Sequence, residues 1–371
     1  MIATFNFHTK VGMTVTIYEV AKKAGVGIGT VSRVLNNSPQ ISSATRERVM
    51  KVIQTLNYQP HAMAQGLARK KSLSIAALVP FFTGHFYGEL LKGIQQAIAR
   101  HKYDLILYSI EDFQDKDFYL KRALQQRRVD GVVLVSLPLS EAQAKEFKRR
   151  KLPLVLVDAS HPDFDSIVVN NQTGAYAAVR HLIGLGHTCL AMITGHRESA
   201  PAQHRYLGFQ TALAEAGLEV ADDLLMSSDN LQSEAVKIND GFNKETGYWA
   251  MRQLLARNGK RPTGVFIASD IQALGAMKAV RESGLRIPED IAIVGFDDIE
   301  LAEYAGLTTV RQPMFEMGRL AVERLMTLIA HPKTPRAHRH IETELVIRES
   351  CGMNHSAQKN CQAVPDKLQE G

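Results

Sequence analysis

The stretch AKKAGVGIGTVSRVLNN, residues 21–37, decides what the N-terminal part of the chain is. It sets Gly25, Gly27 and Gly29 ahead of a run with helical spacing, so it must be either a phosphate-cradling glycine loop or a turn between helices. A dinucleotide loop follows a β-strand and has an acidic residue about 20 positions downstream. Upstream, Ile17, Val20, Ala21 and Ala24 recur at the one-face spacing of a short helix instead. The glycines therefore join helix to helix. Thr30–Asn36 forms the second helix, with Val31, Val34 and Leu35 inward and Thr30, Ser32, Arg33 and Asn36 on its outer side, and Gly25 supplies the tight turn of a helix-turn-helix.

Charge points the same way. The whole chain of 371 residues carries +6. Residues 14–72 hold nine Lys or Arg against two Glu, Lys10 adds one more, and residues 73–371 are left at −2. An excess confined to the helix-turn-helix segment is the electrostatic footprint of a phosphate-backbone binder. Downstream, Ser42 or Ser43 is placed to cap a third helix, on which Val49, Ile53 and Leu56 face one way, with Pro60 marking its end. The segment HAMAQGLARKKS, 61–72, is too poor in Gly and Ser for a plain linker and too short for an isolated helix, which suits folding on a partner.

From Thr16 to Ser72 the sequence resembles the DNA-binding headpiece and hinge of the lactose repressor and galactose repressor family of bacterial transcription regulators, through TVSRVLN, NYxP and a small-residue hinge carrying a leucine, in that order. The resemblance implies that the second helix enters the major groove of double-stranded operator DNA. There Ile28, Gly29 and Arg33 would face base edges, and Tyr18, Thr30, Ser32 and Asn36 would reach phosphates or bases. It further implies that two hinges pair in the minor groove, with Leu67 as the wedge and His61, Ala64 and Ala68 beside it. One departure is Gly27, where the family commonly has Ser; backbone amides are what remains there for phosphate.

From Ser74 on, short apolar runs alternate with amphipathic helical patterns. Strands are expected at 74–79, 104–109, 131–136, 154–158, 189–195, 264–269 and 291–298, and helices near 86–101, 116–127, 172–185, 204–216, 245–257, 271–283 and 314–330. That order means parallel sheets covered on both faces. It also resembles the ligand-binding core of the same family, shared with periplasmic sugar-binding proteins: two α/β subdomains around a cleft, joined by three crossovers. The expected fold is thus an all-α helix-turn-helix headpiece plus an α/β periplasmic-binding-protein-like core of two parallel-sheet subdomains. The expected boundaries are an extension 1–13, headpiece 14–60, hinge helix 61–72, core 73–352 and a disordered tail 353–371. Within the core, 73–170 joins 313–341 and 171–312 joins 342–352.

Ligands of open α/β sheets sit beyond the carboxyl ends of the strands. Asp158, Ser269 and Asp297 stand at such ends, and Arg205 is expected to open a helix after the 189–195 strand. Carboxylates with one Arg bind vicinal hydroxyls, and rings cover the apolar face of a sugar. By resemblance Phe86 and Phe242 line the ligand site, and Arg205 and Asp297 contact the effector. Asp270 and Asp298 are read as helix N-caps. Enzymatic readings lack a motif: there is no G-x-S-x-G, no P-loop and no metal-spaced cluster among the thirteen His, and no cofactor is called for. Three cysteines, no signal-peptide pattern and no run of membrane-spanning length fit a cytoplasmic protein. The expectation is a homodimeric transcription regulator, a repressor whose operator affinity follows a small effector, a sugar or its derivative. A solute-binding protein fits residues 74–350 equally well but not the basic headpiece.

Overall fold

The computed structural model describes residues 15–58, 71–80, 84–110, 115–125, 128–219, 221–232 and 234–352. The expected extension, most of the hinge (with His61, Ala64, Leu67 and Ala68) and the tail lie outside the described residues. The chain divides into two compact units, 1–72 and 73–371.

In the first unit, helices α1 (Ile17–Ala24), α2 (Ile28–Leu35) and α3 (Ser43–Thr55) close around Val20, Ala21, Ala24, Val31, Val34, Val49 and Tyr58. Glu19 reaches back to the backbone N–H of Thr16, 2.7 Å, closing the start of α1. Gly25 ends α1 at φ 62°, a left-handed turn that suits a residue without Cβ. Ser42 is the N-cap of α3, accepting from the Thr45 N–H. The second helix starts at Ile28, two residues ahead of the sequence expectation, with Gly27 as its N-cap. Arg46 ties the α2–α3 loop by donating to the Asn37 side chain and the Ser38 carbonyl.

The second unit holds two six-stranded sheets. The first, in order β11-β5-β4-β3-β1-β2, is parallel throughout; it comprises β1 (Ser74–Val79), β2 (Asp104–Ser109), β3 (Gly131–Val135), β4 (Leu154–Val157), β5 (Asp165–Val169) and β11 (His338–Ile341). The second runs β12-β10-β9-β8-β6-β7, from β6 (Leu190–Ile193), β7 (Leu225–Met226), β8 (Gly264–Ile267), β9 (Ala292–Asp297), β10 (Thr308–Arg311) and β12 (Glu344–Val346). Its β12 is antiparallel to β10, a departure from the all-parallel expectation. The chain passes between the sheets after β5, after β10 and after β11.

Helices α4 (His85–His101) and α12 (Met314–Ala330) cover one face of the first sheet, and α5 (Lys116–Ala123) and α6 (Glu141–Arg150) contribute to the core on the other. On the second sheet, α7 (Asn171–Gly184) and α8 (Ala200–Glu215) pack on one face, and α9 (Lys244–Ala256) and α10 (Asp270–Glu282) on the other. A Cβ on Gly247 of α9 would fall 1.8 Å from the Gln272 carbonyl of α10, and one on Gly275 of α10 would fall 2.0 Å from that of Lys244. These helices therefore touch backbone to backbone. Gly93 of α4 and Gly318 of α12 make the same reciprocal contact on the first sheet.

Sequence reading missed β5, β7, β10, β11, β12, α6 and the short α11 (Glu300–Tyr304). Two of these, the exposed HRHI and the partly exposed ELV, are edge strands whose polar residues break the apolar pattern. Helix α6 buries Ala144 and Phe147 in an otherwise charged segment, though its Ser140/Gln143 capping box was readable.

Candidate functional site

On the headpiece, α2 exposes Ile28, Gly29 and Arg33, with Asn36 one turn on. Positions 29, 33 and 36 form a single stripe opposite the buried Val31 and Val34. Thr30 and Ser32 are half-buried flanks, and Tyr18 on α1 is 69% exposed. At Gly27 and Gly29 no atom lies within 4 Å of where a Cβ would be, so the start of α2 presents bare backbone to solvent. The first amides of a helix lack intrahelical partners and attract anions. The Asn36 side chain donates to the Ser32 carbonyl, 2.9 Å, which tethers it to its own helix.

In the core, charged groups gather where strands end. Arg205 is buried, and it lies inside α8, one and a half turns from its start, rather than opening the helix as expected. The helix begins early because Pro201 fits its first turn. Arg205 donates through Nε to Asn171 Oδ1, 2.8 Å, and through Nη1 to the Ala268 carbonyl, and its guanidinium lies 3.8 Å from the centroid of Phe296. Nη2 has no partner among the described residues, which leaves a donor edge available. Asp297, last residue of β9 at φ 126°, stands 3.9 Å from Nη1 and accepts from Gln312 Nε2, 2.6 Å. Burial pushes its carboxyl up to about 6, against the pull of Arg205 and Gln312.

From the opposite subdomain, Asp158 follows β4 and accepts from the Ser136 hydroxyl at 2.8 Å. Burial raises its carboxyl too, with Ser136, Arg205 and His204 opposing. Tyr87 of α4 donates to Asn239 Oδ1, 3.4 Å, bridging the two subdomains, and burial and then Asp158 raise its phenol. Arg205 itself is lowered by burial and held up by Asp297, Asp158 and Asp270. The result is a desolvated cluster of one cation and several acids at facing strand ends, in which Tyr87, Asn239, Gln312 and Asn171 were not foreseen.

Phe242 sits 5.8 Å from the Arg205 guanidinium. Phe86 packs with the first subdomain's core and meets Tyr87 edge-on at 5.2 Å. Ser269 is the N-cap of α10, and its hydroxyl serves Gln272, so its oxygen is already engaged. That displaces the expected N-cap role of Asp270, which is the first helical residue and accepts from the Ile299 N–H and the Thr309 hydroxyl. Nor is Asp298 an N-cap: Ile299 precedes α11, and Asp298 pairs with Arg311 and Arg348. Among the described residues no His, Cys, Asp and Glu group suits a metal ion, and no helix is long and apolar enough to cross a membrane.

Residues 16–61 match the profile of bacterial regulatory proteins of the lacI family, and 179–351 a periplasmic binding protein-like domain. Over 328 residues the chain is 34% identical to catabolite control protein A of Priestia megaterium, spanning 87% of this chain and 94% of that one. The Lac repressor dimer bound to operator and the anti-inducer ONPF is similar at a TM-score of 0.77 and 28% identity, over 91% of this chain and 99% of that one. The transcriptional regulator CelR in complex with cellobiose gives a TM-score of 0.67 at 31% identity, with the same coverages.

Proposed function

The chain belongs to the lacI family of bacterial regulatory proteins, and from that premise we propose that it is a cytoplasmic repressor that binds a palindromic operator as a homodimer and answers to a small polyhydroxylated effector. The observation that carries the reading is the set of buried Arg205 and Asp297 with half-buried Asp158 at facing strand ends of the two subdomains. Desolvated acids beside an Arg with an open donor edge are costly when empty and discriminating when filled, because a vicinal diol supplies hydrogen-bond donors to the acids and acceptors to the guanidinium. Phe242 gives apolar cover. A disaccharide in a related regulator, cellobiose on CelR, supports the sugar class.

On the DNA side, Arg33 reads a guanine edge, Ile28 meets a thymine methyl, and the amides at Gly27–Gly29 hold a phosphate. Leu67 of the hinge wedges the minor groove, flanked by His61, Ala64 and Ala68. The basic headpiece favours this reading over a solute-binding protein. Mobility-shift titration tests it: the full palindrome binds far tighter than a half-site and the affinity falls steeply with salt, whereas salt-independent binding refutes the reading. For the cleft, calorimetry against sugars and nucleobases identifies the effector, and Asp297→Ala weakens it by at least about 2 kcal/mol. Unchanged affinity removes Asp297 from the site.

A further inference from the structure

A second cavity lies away from the Arg205 cluster, between α8 and the edge strand β7, with a volume of about 420 Å³. That is within the size range of small-molecule sites. Gln203, Tyr206, Leu207 and Gln210 form one stripe along α8 and wall it on one side, whereas Arg205 and Phe209 take the buried side of the same helix. Met192 and Leu225, cross-strand partners on the face toward α8, lie on the sheet side, and the soft Met192 thioether suits an aromatic ring.

Two polar features single out what would fill it. Thr194 is 8% exposed and lines the cavity, two residues beyond Met192 on the same face of the sheet, yet its hydroxyl has no hydrogen-bond partner among the described residues. Buried hydroxyls are ordinarily matched. The other is Arg197, the one charged residue of the lining. Its Nε and Nη2 bond the neutral oxygens of Ser227 and Asn230 at 3.1 and 3.2 Å, and among the described residues no carboxylate side chain forms an ion pair with it. Nearby Asp229 is occupied by the Arg197 backbone N–H, the Ser227 hydroxyl and His196.

We propose that this cavity is a second ligand site, independent of the cleft, for a small aromatic carboxylate with a polar ring substituent. The ring lies against Met192, Leu225 and Tyr206, the carboxylate meets Arg197, and the substituent engages Thr194.

The probe is 4-hydroxybenzoate, followed by saturation-transfer NMR and calorimetry on the full chain, with 4-hydroxybenzamide as the neutral counterpart. The acid binds saturably and the amide about tenfold more weakly, since a hydrogen bond to a charged partner is lost. Arg197→Gln weakens the acid by a similar factor. Leu207→Glu, on a side chain already 45% exposed, keeps the fold and abolishes binding by setting a carboxylate at the wall. Asp297→Asn leaves binding unchanged. No saturable binding at millimolar probe, equal binding of acid and amide, or loss in Asp297→Asn with retention in Leu207→Glu each overturns the proposal; the last would put the probe in the cleft and leave the effector reading intact.

Discussion

The headpiece and the core solve opposite problems. In the headpiece every buried side chain of the small cluster is apolar or tyrosine, and the candidate contact residues from Gly27 to Arg33 lie on or near the surface within one short stretch. In the core the central candidates, Arg205 and Asp297, are buried and charged, and partners such as Tyr87 and Asn239 stand 152 residues apart. A surface that meets phosphates keeps its charges hydrated until DNA arrives, and a cleft that discriminates between small polar molecules removes water beforehand. Substitution should therefore cost stability in the core and specificity in the headpiece.

The largest expected effect follows from that contrast. Arg205→Ala leaves the buried Asp297 without its cation, and breaking a buried pair costs about 3–5 kcal/mol. Urea unfolding of the isolated 73–371 unit measures it; a loss under 1 kcal/mol would mean that the cluster is better solvated than its burial indicates. Next comes the proton on Asp297. Its carboxyl titrates near 6 in the fold against an ordinary 3.8, so the protonated form is favoured by folding. The stability it contributes is complete below about pH 3.8 and is lost as pH rises through 6, up to about 3 kcal/mol. Asp297→Asn flattens that part of the stability–pH curve, and the slope left over belongs to Asp158 and Asp270, whose carboxyls are raised by burial as well.

In the headpiece the effects are smaller and of another kind. Arg33→Ala should cost about 1–3 kcal/mol at the operator and relax preference at one base pair per half-site, while Lys70→Ala, in the basic end of the 61–72 segment and expected to meet phosphate alone, weakens all sequences alike. Competition binding on randomised half-sites separates the two, and equal loss without a change in preference would misplace α2. Smallest is Gly27→Ser. With φ −71° and open space at its Cβ, a serine fits the N-cap and should stabilise the headpiece by about 0.5 kcal/mol in thermal unfolding.

The same contrast explains what the sequence disclosed. In the headpiece, helix, turn and charge signals are local, so Gly25, Ser42 and the apolar face of α2 were legible, and the error was a start two residues late. The alternating strands and helices of the core were legible where strands are buried on both faces. They were not where an edge strand is exposed, as at His338–Ile341. Asp297 was singled out because strand ends mark ligand positions in such sheets, and Arg205 because the family resemblance points to it. Tyr87, Gln312 and Asn171 went unnoticed because nothing within a few residues of each says that a distant strand will bring an acid or a guanidinium to it. Asp270 was assigned a cap because the neighbouring Ser269, equally able to cap, was read as a ligand.

The glycine contacts between α9 and α10, and between α4 and α12, have a mechanical meaning. Helices joined backbone to backbone have no side-chain layer to shear, so each of these helix pairs is expected to move as one piece with its sheet. An effector that draws the two jaws together must then spend its leverage on the three short connections after Val169, Arg311 and Ile341, and a pair of spectroscopic labels, one per jaw, would register the whole transition as a change in a single angle.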